Sequence, residues 1–91
     1  MCKVHKAIYE LAKFMNSNIL ICTTGHLHFE GELHKCDWDE ENNACYDDII
    51  TLKNVKVSNY DNTPTREYEW INISSKRIDA FSFKNKKEDN M

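Results

Sequence analysis

Glycine and proline are scarce, two and one respectively among 91 residues. No phosphate loop, dinucleotide glycine fingerprint or nucleophile elbow occurs, and no His-Glu-x-x-His pair marks a zinc hydrolase. These absences predict a protein that acts by binding without turnover and needs no cofactor. No apolar run approaches the ~20 residues that cross a bilayer, and neither end carries a lipidation signature. The four cysteines, Cys2, Cys22, Cys36 and Cys45, form no Cys-x-x-Cys pair and follow no signal peptide. That pattern predicts free thiols in a reducing, cytoplasmic setting away from membranes. Positive charge is not in excess either: 12 Lys and Arg stand against 15 Asp and Glu, a net charge of −3. A protein that coats nucleic acid nonspecifically, by neutralising phosphates, is therefore excluded.

What is present is enough for one small domain. A chain of this mass buries about two-thirds of its extended surface on folding, and 41% apolar residues with 11% aromatics exclude a wholly disordered chain. The charge is uneven. Residues 1–48 hold four basic and nine acidic side chains, a balance of −5, and residues 49–91 hold eight and six, a balance of +2.

Val4, Ile8, Leu11, Ala12 and Met15 form one stripe of an amphipathic helix, which Asn16-Ser17-Asn18 should end. From Ile19 the period changes to two. Residues 19–24 read as a first strand, Gly25 as its turn, and the alternating Leu27, Phe29, Gly31 and Leu33 as a long second strand with Gly31 at the bend. Residues 37–48 form an acidic connection. Ile49, Ile50 and Leu52 begin a third strand whose inward phase slips near Asn54, as at a bulge. Residues 59–66 read as a loop, Tyr68 to Ile73 as a fourth strand, Ser74-Ser75-Lys76 as a tight turn and residues 78–83 as a fifth strand. The expected fold is mainly β: an N-terminal α-helix capping a five-stranded, strongly bent small barrel over residues 1–83, with a disordered polar tail at 84–91.

The stretch Phe29-Glu30-Gly31-Glu32-Leu33, with Asp37 after it and Ile73-Ser74-Ser75-Lys76-Arg77-Ile78 near the end, resembles the Sm-like family of SH3-type barrels, which includes the bacterial Hfq proteins. The resemblance spans most of the chain. It implies rings formed by pairing the fourth strand of one subunit with the fifth of the next, and RNA bound by residues of two loops. This sequence departs from that pattern in the loops. Ser74-Ser75 replaces the family's Arg-Gly or Lys-Gly, with Lys76 and Arg77 displaced beyond it, and the first loop is long and acid-rich, so Asn42 and Asn43 match only approximately.

Three binding roles compete. The favoured one uses Asp37, Trp38, Asp39, Glu40 and Glu41, a lobe of carboxylates with an aromatic beside it, to engage a basic protein surface as an interaction or inhibitor protein. The Lys-, Asn- and Ile-rich composition suits AT-rich phages and their hosts, which extends that role to counter-defence. The alternative is an Sm-like homo-oligomeric ring that binds RNA or a nucleotide, with Lys76 and Arg77 on phosphates and Tyr60, Asn42, Asn43, Ser74 and Ser75 around the base. The third is a metal-binding structural protein. It would use either the calcium-loop echo of Asp37, Asp39, Glu41, Asn43 and Asp48 or the outward face of His26, His28 and His34 with Cys36. Tyr68, Trp70, Phe81 and Phe83 are assigned to the core or to a subunit contact.

Overall fold

In the computed structural model, which describes residues 3–59 and 65–86, the chain runs as one helix, five strands and a 3-10 turn. Helix α1 (Lys3–Leu11) packs Val4, Ile8 and, just beyond it, Ala12 and Met15 on the core. These belong to the stripe expected from residues three and four apart sharing a face. Leu11 leaves that stripe and is 43% exposed, while His5 is fully buried. The buried face is thus rotated toward a polar residue, and the candidate site explains why.

The strands are β1 (Asn18–Thr23), β2 (Leu27–Lys35), β3 (Ile49–Asn59), β4 (Arg66–Ser74) and β5 (Ile78–Phe83). They form one sheet in the order β4-β3-β2-β1-β5, antiparallel throughout. Ile19 and Ile21 of β1, Ile50, Leu52 and Val55 of β3, Ile73 of β4 and Ile78 and Phe83 of β5 close around Ile8 of the helix. Each fully buried aliphatic side chain of this kind contributes about 1.5–3 kcal/mol.

The bend sits where the sequence placed it. Between the pairs Glu30↔Lys56 and Glu32↔Lys53, β3 carries one more residue than β2, and Asn54 takes a left-handed φ of 53°. Asparagine tolerates that backbone because its short side chain bonds locally. On the facing strand, a Cβ at Gly31 would stand 3.0 Å from the Lys53 carbonyl oxygen, so the two strands approach here more closely than a side chain permits.

The expected helix and five strongly bent strands are found, and three details are sharpened. The sheet does not close into a barrel: β4 and β5 lie at its two ends and share no ladder among the described residues, so both keep an edge of unpaired main-chain groups. The tight turn after β4 is a 3-10 turn (Ser75–Arg77) capped by the Ser74 side chain. The chain also stays bonded past Phe83, since Lys84 N–H donates to Asn18 O at 3.0 Å and Asn85 O accepts from Asn16 N–H at 2.8 Å. The remainder of the expected tail, residues 87–91, lies outside the described residues. Among the described residues no helix is long and apolar enough to cross a membrane.

Candidate functional site

Two connections meet at one end of the sheet, and α1 bolts them together. From the β2–β3 connection, Asp48 O accepts the Ser75 N–H at 2.6 Å, and Asp48 Oδ2 accepts the Ser74 hydroxyl at 3.1 Å. Lys76 Nζ lies 3.8 Å from the same carboxylate. Behind them, His5 Nε2 donates to Asp37 O at 2.7 Å, and Nδ1 lies 3.3 Å from the Ser75 hydroxyl. A carbonyl only accepts, so Nε2 carries the proton and Nδ1 is left to accept from serine. Cys36 Sγ donates to His5 O, and burial with Asp37 and Asp47 nearby pushes that thiol up to about 12. A buried histidine with both nitrogens bonded explains why the helix turns this face inward.

The acidic lobe is not the bare negative surface that its composition predicts. Lys35 reaches Asp37 at 3.7 Å and Asp47 at 3.9 Å. Glu40 accepts the Tyr9 hydroxyl at 2.9 Å and pairs with Lys13 at 3.4 Å; the Tyr9 hydrogen bond and then Lys13 hold its carboxyl below the ordinary range. Asp39 accepts the Asn42 side-chain amide at 2.7 Å and the Asn42 N–H at 3.2 Å, which likewise lowers its carboxyl. Asp39 and Ala44 exchange main-chain bonds, so residues 39–44 form a small turn with Glu41 at its exposed tip. Asn43, at a φ of 53°, accepts from Lys6. Trp38 is half-buried, with Lys6 Nζ 5.7 Å from its ring centre and the His5 ring 6.2 Å away. The lobe is folded back on the helix, and three lysines of the chain itself pair with four of its six carboxylates, so nothing here supports the basic-partner reading.

The remaining predicted residues divide. Ser74, Ser75, Lys76 and Arg77 do come together with the β2–β3 connection, but at Asp48, while Asn42 and Asn43 lie toward α1. Ser75 is buried as a structural strut, and Lys76 and Arg77 are exposed. Tyr60 lies outside the described residues. Among the described residues no three His, Cys, Asp or Glu side chains gather to hold a metal ion; the histidine face does not assemble, because His34 turns onto Trp70 at 4.8 Å. Cys22 and Cys36 are free thiols, but Cys45 is disulfide-bonded, which corrects the expectation of four free cysteines. Sequence reasoning missed His5 altogether. The one signal was a histidine within the apolar stripe of the first helix, between Val4 and Ile8.

A cleft of about 590 Å³ with a mixed lining opens beside the β4 edge, with Leu27, Phe29, Val57, Tyr68 and Ile71 on its walls and Asn59 and Arg66 supplying polar groups. Tyr68 and Trp70, expected in the core or at a subunit contact, are 45% and 48% exposed.

No protein-family model and no curated protein matches this sequence. Among solved structures, the chain is similar to the Pyrococcus abyssii Sm protein in complex with a uridine heptamer, at 17% identity and a TM-score of 0.57, over 86% of this chain and 93% of that one. The fold is Sm-like: an N-terminal helix followed by five antiparallel strands in a bent sheet. At that level of identity the likeness defines the fold alone.

Proposed function

We propose that this protein is a non-enzymatic Sm-like module that assembles edge to edge into a closed ring and binds single-stranded RNA where its two loops meet. The observation that carries the reading is the meeting of the β2–β3 connection and the β4–β5 turn at Asp48, Ser74 and Lys76, on a fold whose solved neighbour holds a uridine heptamer. Assembly is supported by the two open edges. A sheet edge left unpaired templates further pairing, and here the β4 edge adjoins a cleft walled by Leu27, Phe29, Val57 and Ile71 while β5 carries the half-buried Phe81. Pairing β4 of one copy with β5 of the next would satisfy both edges and cover the cleft. Lys76 and Arg77 would meet phosphates.

Fluorescence anisotropy with a labelled uridine oligomer at low salt tests the RNA reading. Binding that weakens when Lys76 and Arg77 are both replaced by alanine is the expected result. An oligomer that shows no binding at micromolar protein contradicts it.

A further inference from the structure

Away from the loops, the sheet holds an aromatic that the fold leaves open. Trp70 of β4 is 48% exposed. Lys53 is its direct partner across β3, with Nζ 5.5 Å from the indole ring centre, and His34 of β2 meets the same indole edge-on, centres 4.8 Å apart. His34 gets there because β2 carries one residue more than β3 between the pairs Leu33↔Leu52 and Lys35↔Thr51, and a bulge re-aims the side chain it inserts. Two register pairs away on the same face, Thr51 Oγ1 donates to Asn72 Oδ1 at 2.7 Å, which leaves the Asn72 amide nitrogen as a donor on the exposed surface.

Lys53 differs from the five lysines that the described residues hold in ion pairs. Lys6, Lys13, Lys35, Lys76 and Lys84 each pair with a carboxylate at 2.9–3.9 Å. Among the described residues the Lys53 ammonium has only the indole as a partner. A half-exposed π surface, a cation held in no ion pair although Glu32 faces it across the β2–β3 register, and a polar amide close by are the three groups that receive a base and its phosphate. Stacking is indifferent to which base is present, and the ammonium adds charge. An aliphatic peptide side chain would use the indole but not Lys53, and an acidic one Lys53 but not the indole.

We propose that Trp70, with Lys53 and His34 beside it, is a stacking platform for a base of single-stranded nucleic acid, separate from the Ser74–Arg77 turn. It shares with the proposed function only the premise of a nucleic-acid ligand. Ser74 is four residues further along β4, about 13 Å of strand, so a single ligand strand reaches both places.

The chain has two tryptophans, so Trp38→Phe leaves Trp70 as the sole indole reporter. That variant is titrated with an unlabelled uridine oligomer at low salt while anisotropy of a labelled one follows overall binding. Trp70 emission falls in step with binding, Trp70→Leu weakens affinity roughly five- to 150-fold, and Lys53→Ala lowers the slope of log affinity against log salt by about 0.7. Binding without quenching, unchanged in Trp70→Leu, overturns the platform and leaves the loop site standing. Quenching with affinity unchanged in the Lys76→Ala, Arg77→Ala double variant supports the platform and removes the loop site. A Trp70→Leu protein whose copy number changes assigns Trp70 to a subunit contact and overturns the platform, as does quenching by an acidic peptide but not by the oligomer. Absence of any oligomer binding overturns both proposals.

Discussion

His5 joins three parts of the chain through one imidazole: α1 that carries it, the β2–β3 connection through Asp37 O, and the 3-10 turn through Ser75. Its partners lie 32 and 70 positions away, so the bonds hold non-local geometry. His5→Leu keeps an apolar volume but leaves the buried Ser75 hydroxyl and the Asp37 carbonyl without their partner, and should cost about 1–3 kcal/mol, read as a lower urea midpoint with an unchanged slope. The Cys36 thiol, pushed up to about 12 by burial and then by Asp37 and Asp47, contributes in a defined pH window. The unfolded chain loses this proton near the ordinary thiol value, and the folded chain keeps it. Stability from this group is therefore full below about 9 and is lost as pH rises toward 12, and Cys36→Ala should flatten the alkaline limb of a stability-against-pH curve. At neutral pH the folded Cys36 should resist thiol alkylation that the denatured protein undergoes.

At the scale of elements, the bent pair β2–β3 was legible before any coordinates. Gly31 lay at the centre of an alternating strand, and the inward phase slipped at Asn54. Both are backbone requirements written in local residue choice. Gly31→Val places branched carbons against the Lys53 carbonyl and Val55 and should destabilise by about 1–3 kcal/mol, measured by thermal unfolding. The acidic connection was legible only as composition. Its character depends on Tyr9, Lys13, Lys35 and Lys76, and three of those four lie outside the β2–β3 region, so no local reading finds them. Glu40 gives this a testable sign. Its carboxyl is lowered by Tyr9 and Lys13, so the contact between lobe and helix is intact above the ordinary carboxylate range and is lost as pH falls through the lowered folded value. Tyr9 ring resonances should shift over that acidic range in the native protein and not in Glu40→Gln. Asp48→Asn releases Lys76 from its ion pair and should tighten uridine-oligomer binding roughly two- to five-fold at low salt.

For the whole molecule, the sequence supplied the order of helix and strands but not the closure. A closed barrel and an open bent sheet need the same alternation in each strand, and they differ only in whether β4 meets β5 within one copy. That is why Tyr68 and Trp70 read as core or contact residues: burial on an end strand depends on what lies beyond it. The open edges and the cleft beside β4 make assembly the central claim, with RNA bound by the assembled form. Native mass spectrometry of the full chain with a short uridine oligomer tests it most directly. The account predicts a single species of fixed copy number carrying the oligomer. A bare 10.8 kDa monomer at concentrations well above micromolar, with no oligomer attached, would contradict it.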